Sequence, residues 1–310
     1  MGTAIECSGL TKRYRGGRGV FDLNFQVEEG EIFGFLGPNG AGKTTTIRTL
    51  MGLLRPTGGC ARVFGFDSWR ASPAVKARVG FVPGELHLYD GMRGHALIEF
   101  AAGFRPEGTL MRAKQLARQF DLDLHQRIRH LSKGNRQKLV IIVALMHDPQ
   151  LLIMDEPTSG LDPLMQVAVL DLLRQERERG KTVFLSSHLL PEVEKIADRV
   201  AVIRDGRLVA IEEIERLKTM RERRMEAVFR HPVTAEAFAG LDGVRVIGMH
   251  EHNHHVELTL RGDPAPVLAR LAAMHVADLI YPPADLESVF LHYYEDAAPL
   301  ATPAAREVSA

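Results

Sequence analysis

The 310-residue sequence predicts an α/β protein built on a parallel sheet, followed by a smaller α+β unit. Three observations predict it. Short, wholly apolar segments such as Ile32 to Leu36 and Leu151 to Met154 read as strands buried on both faces, as in a parallel sheet. Each runs into a chemically distinctive turn, Gly37-Pro38-Asn39-Gly40-Ala41-Gly42-Lys43-Thr44 after the first and Asp155-Glu156 after the second. Beyond about residue 212 the strand and helix candidates follow a different order, β-α-β-β-α-β.

The first turn fits G-x-x-x-x-G-K-[ST] and leads into a helix candidate from Lys43 to Leu54. Glycines let backbone N–H groups wrap a phosphate chain, and the helix N-terminus adds partial positive charge. In such a loop Lys43 reaches the β- and γ-phosphates, and the Thr44 hydroxyl, with Thr45 beside it, faces Mg²⁺. The second turn puts two acids at the C-terminal edge of a parallel strand, where open α/β sheets bind ligands. Asp155 suits the Mg²⁺ shell and Glu156 suits activation of the attacking water. A third strand candidate, Thr182 to Ser186, ends in Ser187-His188, and His188 is placed to reach a γ-phosphate and Glu156. Any one of these features is common on a surface; the strand, loop and helix context is what makes them a nucleoside-triphosphate site.

Leu131-Ser132-Lys133-Gly134-Asn135-Arg136-Gln137 precedes an apolar helix candidate, Lys138 to Met146. It resembles the LSGGQ signature of ATP-binding cassette (ABC) proteins, with Lys133 and Asn135 in place of the commoner Gly and Gln. Ser159-Gly160-Leu161-Asp162 stands where that family has its D-loop, and Tyr14 where it stacks an aromatic on adenine. The resemblance spans roughly residues 5 to 212 and implies a RecA-like P-loop core with a helical subdomain. It also implies ATP and Mg²⁺ as cofactors, and an ATP hydrolase of two head-to-tail subunits forming a homodimer. Each nucleotide would lie between Lys43 of one chain and Ser132 and Gly134 of the other, and Asp162 is a further nucleotide-binding candidate. Integral membrane permease subunits, encoded separately, would receive the motion, with the ATPase held peripherally at the cytoplasmic face of the membrane.

One family position departs. Arg78 to Pro83 resembles the strand that normally ends in a Q-loop glutamine, but Gly84-Glu85 follows. Glu85 is a candidate metal-shell substitute, and a water is the alternative. Asp285 to Leu291 resembles the terminal element of daunorubicin- and bacitracin-resistance-like exporter ATPases. This favours drug or antibiotic efflux, against an importer ATPase or a soluble ABC ATPase acting on ribosomes or DNA.

Composition limits the alternatives. Lys+Arg and Asp+Glu both total 39, so formal net charge is zero and no polyanionic partner such as nucleic acid is indicated. The two cysteines, Cys7 and Cys60, have no metal-site spacing. The N-terminus lacks a basic-then-apolar leader pattern. The longest apolar run, Leu139 to Met146, is far below the roughly 20 residues that cross a bilayer. Helix candidates Gly94 to Phe104 and Thr109 to Phe120 suit the helical subdomain, with Tyr89, Met92 and Leu97 as candidates for a permease groove or for its own core.

These readings divide the chain into a nucleotide-binding domain over 1–212, its helical subdomain over 85–148, and a charged linking helix over 213–225. An assembly or regulatory domain, ferredoxin-like in element order, follows over 226–296, and a disordered tail over 297–310. In the later part His250, His252, His254 and His255 flank Asn253. They are read as a solvated hairpin turn, and no metal is assigned to them.

Overall fold

A computed structural model describes residues 2–219 and 222–281 of the chain. The expectations for Asp285 to Leu291 and for the tail lie outside the described residues. The chain divides into two compact units at Ile214/Glu215, and each has its own core.

The first unit opens with β1 (Thr3–Arg13) and β2 (Gly19–Glu28), then β3 (Ile32–Leu36), α1 (Lys43–Leu50), β4 (Gly58–Val63) and β5 (Phe66–Asp67). Next come α2 (Ser72–Arg78), β6 (Val79–Val82), α3 (Gly94–Ala102), α4 (Thr109–Gln119) and α5 (Lys133–Leu145). The sheet then resumes with β7 (Leu151–Asp155), α6 (Pro163–Glu178), β8 (Thr182–Ser187), α7 (Leu190–Ile196), β9 (Arg199–Arg204) and β10 (Arg207–Glu213).

Six strands form one sheet in the order β10-β9-β3-β8-β7-β6. All its pairs are parallel except β10 on β9. Residues of β3, β7 and β8 are buried throughout, which is why the sequence reads as unbroken apolar runs rather than alternation. An antiparallel sheet, β2-β1-β4-β5, packs into the same core, which Ile47 and Leu50 of α1 and Val75 of α2 also join. Phe25 of β2 stacks on Phe33 of β3 and Phe184 of β8, with ring centroids 5.9 and 6.2 Å away. Such contacts hold the strands rigid beneath the functional edge.

Several helix boundaries differ from expectation. Helix α1 stops at Leu50 instead of Leu54, because Gly52 adopts φ 62° and Leu53 N–H turns back to the Arg48 carbonyl. Helix α5 begins at Lys133 instead of Lys138, because the Ser132 hydroxyl accepts the Asn135 N–H at 3.2 Å and caps it. The linking helix expected over 213–225 is confined to α8 (Ile214–Thr219), and β11 (Glu222–Phe229) starts within that stretch.

In the second unit β11 is followed by a 3₁₀ turn at Ala235–Phe238, in the place of the first helix of the expected β-α-β-β-α-β order. Then come β12 (Val244–His250), β13 (His255–Arg261), α9 (Ala265–Ala273) and β14 (Val276–Ile280). Its sheet runs β12-β13-β11-β14 with every pair antiparallel. That order matches the ferredoxin-like split βαβ, with the first helix reduced to one turn. Met225, Ala227, Phe229, Leu258 and Leu271 are among its buried core. The histidines flank the β12–β13 turn, where Glu251, His252 and Asn253 all have positive φ.

Candidate functional site

Strand register builds the site. Leu36 of β3 pairs with Ser187 of β8, and Asp155 of β7 pairs with Ser186 of the same strand. The residues that follow therefore leave one sheet edge together: Gly37 to Lys43 from β3, Glu156 from β7 and His188 from β8. Backbone bonds fix the exits. Gly37 N–H donates to the Ser187 carbonyl at 3.2 Å, and Glu156 N–H to the Ser186 carbonyl at 3.2 Å.

Lys43, the first residue of α1, is 5% exposed. Its Nζ donates to the Gly37 and Pro38 carbonyls at 2.6 and 3.1 Å and lies 3.1 Å from Glu156 Oε1. Glu156 Oε2 in turn lies 3.2 Å from His188 Nδ1, so the ring donates when that nitrogen carries the proton. One carboxylate thus sits between a buried ammonium and an imidazole. Asp155 is buried, and its Oδ1 accepts the Ser186 hydroxyl at 2.7 Å.

Asn39, Gly40, Gly42, Lys43, Thr44, Thr45 and Glu156 line a cavity of about 150 Å³. Ala41, buried below it, donates its N–H to the Pro38 carbonyl at 3.1 Å. Gly40 and Gly42 have φ of 83° and 112°, a conformation that turns successive N–H groups inward and disfavours a side chain. The donor set is chemically matched to a magnesium nucleotide. Backbone N–H groups and an ammonium suit phosphate, and the Thr44 hydroxyl and Asp155 carboxylate are hard oxygen donors.

Other expected residues lie elsewhere in this chain. Tyr14, 40% exposed, lines a different cavity with Thr11, Arg13, Arg15 and Thr57. Ser132 caps α5 from the surface, with Gly134 in that helix's first turn. Asp162 caps α6, its Oδ1 accepting Met165 N–H at 3.0 Å. Glu85, expected to stand in for the missing glutamine, is exposed. The position facing Asp155 belongs to Gly84, where an added β-carbon would lie 3.2 Å from the Asp155 carbonyl and 3.5 Å from its Oδ2.

Sequence reasoning missed several supports. The Ser186 hydroxyl approaches Glu156 N–H at 3.1 Å as well as Asp155. Gln137, buried in the signature segment, donates from Nε2 to the Pro157 carbonyl at 2.9 Å and so ties α5 to the acidic turn. The Ser186-Ser187 doublet before His188 was the available signal for the first; nothing local marks the second.

The family model described as ABC transporter matches residues 20–159. A fluoroquinolones export ATP-binding protein of Mycobacterium tuberculosis is 38% identical over 269 residues, covering 82% of this chain and 87% of the relative. The chain belongs to the ABC transporter ATP-binding family. A daunorubicin/doxorubicin resistance ATP-binding protein of Streptomyces peucetius is 41% identical to this ABC subunit over 212 residues, 67% of this chain and 64% of the relative. A bacitracin transport ATP-binding protein of Bacillus licheniformis is 35% identical over 230 residues, with 73% and 75% covered. Among solved structures, an ATP-binding subunit of an ABC transporter superposes with a TM-score of 0.65 at 29% identity, covering 70% of this chain and 92% of that one.

The ABC subunit is accordingly a nucleotide-binding, ATP-hydrolysing component of a transporter. Subunits of this kind dimerise and pair with separate membrane permeases. Among its described residues no helix is long and apolar enough to cross a membrane.

Proposed function

We propose that this subunit powers export of drug- or antibiotic-like compounds, as a homodimer bound peripherally to the cytoplasmic face of a separately encoded permease. The observation that carries the catalytic part is the placement of Glu156 between Lys43 Nζ at 3.1 Å and His188 Nδ1 at 3.2 Å on one sheet edge. Export is supported by the compounds for which the relatives are named, daunorubicin and doxorubicin, bacitracin and fluoroquinolones. Those names do not favour the soluble ribosome or DNA ATPase.

In this reading Lys43 leaves the Gly37 and Pro38 carbonyls and Glu156 to hold the β- and γ-phosphates, with the Gly40 to Thr44 amides around them. Releasing Glu156 from the ammonium frees its carboxylate to accept a proton from the attacking water, while His188 holds the carboxylate and γ-phosphate in place. Thr44 and Asp155 would hold Mg²⁺, which supplies charge neutralisation at the phosphates. Gly84 contributes no side chain to that shell. Ser132 and Gly134 at the start of α5, with Asp162, face the nucleotide of the second copy, so ATP draws two chains together and its hydrolysis releases them.

The helical subdomain presents Tyr89, Phe100 and Phe104 at 64%, 54% and 75% exposure. Leu97 is buried in its own core and Tyr89 is free to meet a permease. The test is to trap Glu156→Gln protein with Mg-ATP, recover it from detergent-solubilised native membranes and identify what accompanies it. A stoichiometric polytopic membrane protein is the expected result. Ribosomal or DNA-repair proteins in its place would overturn the transporter assembly.

A further inference from the structure

Behind the Glu156–His188 pair lies Glu192, in the first turn of α7 and 8% exposed. Its Oε2 accepts two hydrogen bonds, from Thr158 Oγ1 at 2.7 Å and from Ser187 Oγ at 3.0 Å. Thr158 lies two residues past Glu156, and Ser187 immediately precedes His188. A single carboxylate oxygen therefore joins the segment that carries Glu156 to the segment that carries His188. Ser187 is itself well fixed, its hydroxyl accepting Leu189 N–H at 2.9 Å and its carbonyl accepting Gly37 N–H at 3.2 Å.

The other oxygen, Oε1, is buried with no hydrogen-bond partner among the described residues. Glu192 also lines a cavity of about 100 Å³ together with Glu156, Ser159, Gln166 and His188. Leaving a buried acceptor unpaired is destabilising, so an apolar residue would serve mere packing better. What the side chain adds is an acceptor oxygen able to hold two hydroxyls at once in a buried setting.

We propose that Glu192 is a positioning residue for ATP hydrolysis: through Thr158 and Ser187 it sets the distance and orientation of Glu156 relative to His188. The proposal rests on the roles given above to that pair. Misplacing a reacting group by about 1 Å is enough to slow a reaction roughly 100-fold, and the Glu192 link joins the two supports directly. A glutamine at 192 preserves the geometry, because its amide oxygen can accept both hydroxyls while its NH₂ takes the place of Oε1. An alanine removes the link.

The experiment compares Glu192→Ala, Glu192→Gln and Thr158→Val in the full chain. Three quantities are read: kcat and KM for ATP, the thermal midpoint, and the ¹⁵N resonances of the His188 ring in nucleotide-free protein. Expected are a fall in kcat of about 10- to 100-fold for Glu192→Ala with KM within about twofold, and a smaller fall for Thr158→Val. Glu192→Gln should keep at least about half of kcat, and the His188 ring signals should shift in Glu192→Ala but not in Glu192→Gln. Equal losses in the alanine and glutamine variants, or His188 signals unmoved by Glu192→Ala, overturn the proposal. If Glu192→Ala does not fold, Thr158→Val decides: unchanged kcat and an unmoved ring overturn it equally. A shifted ring with unchanged kcat leaves the linkage standing and overturns the role proposed for the Glu156–His188 pair.

Discussion

Glu156 holds a left-handed backbone conformation, φ 48°, which a residue with a β-carbon adopts at a cost of about 1–3 kcal/mol. The conformation turns its carboxylate off the end of β7 toward Lys43 and His188, so local strain and the placement of the carboxylate have one cause. Glu156→Gln keeps the shape and removes the base. Its ATPase rate should fall by at least about 100-fold while nucleotide affinity stays near the native value; a surviving kcat in steady-state assays would exclude Glu156 as the base. Lys43→Ala acts on binding instead. It deletes a charge-assisted contact worth about 1.5–3 kcal/mol, so the dissociation constant for a fluorescent ATP analogue should rise about 10- to 100-fold, and an unchanged value would remove Lys43 from the phosphates.

Lys43, Asp155, Glu156 and His188 were legible because each is announced by its own neighbours, an apolar strand before it and a turn or helix after it. Glu192, Gln137 and Ser186 were not, because their partners are brought close only by packing; Gln137 and Pro157 stand 20 residues apart. Gly84 was legible as an absence, and its placement beside Asp155 required the register of β6 on β7.

Away from the site, His147 titrates to the protein's disadvantage in acid. Burial, then the Arg105 charge, push its imidazole from the usual 6.5 down to about 4. The folded-state value is the lower one, so the unfolded chain takes up this proton first as pH falls. The contribution is intact above about 6.5 and is lost between there and about 4. Urea midpoints measured from pH 7 to 4 should therefore drop more steeply in the native protein than in His147→Gln; parallel curves would contradict the assignment.

Among the elements, regular packing was readable and boundaries were less so. Strands β3, β7 and β8 announced themselves by continuous apolar runs, but the charge-rich residues before Glu226 resembled an exposed helix. Their burial alternates, with Met225, Ala227 and Phe229 inside and Arg224 exposed, which is the period of a strand. Glutamates and arginines on the open face masked that period. Close approach between elements is equally hidden in sequence. A β-carbon added to Gly80 of β6 would press on the Ala144 carbonyl of α5 and come within 2.8 Å of Leu152 Cδ2. Gly80→Ala should therefore lower stability by about 1–3 kcal/mol, read as a reduced urea midpoint with an unchanged slope. Gly91, where nothing among the described residues lies within 4 Å, is the control. A Gly80→Ala midpoint equal to that of Gly91→Ala would show that the β6–α5 contact is looser than drawn.

At the scale of the whole molecule, the residues expected on one nucleotide do not meet in one chain. Lys43, Thr44 and Glu156 share a cavity, while Ser132 and Gly134 sit at the exposed start of α5. In the two-fold dimer proposed above, the same two surfaces would meet twice and complete two sites, which would account for the separation. Mixing two inactive variants tests it. Lys43→Ala disables the loop and leaves the signature segment whole. Gly134→Asp places a negative charge where phosphate should face α5 and leaves the Ser132 cap in place; among the described residues its β-carbon meets only Met165 Cγ, at 3.8 Å, so the fold should accept it. At an ATP concentration that saturates the native site but lies well below the raised dissociation constant of Lys43→Ala, each variant alone should be nearly inactive. In an equal mixture about half the dimers are mixed, and each of those has one site with both halves intact, so activity should recover to roughly a quarter of native. No recovery, with both variants folded and dimeric by light scattering, would mean that a single chain supplies everything its own nucleotide needs.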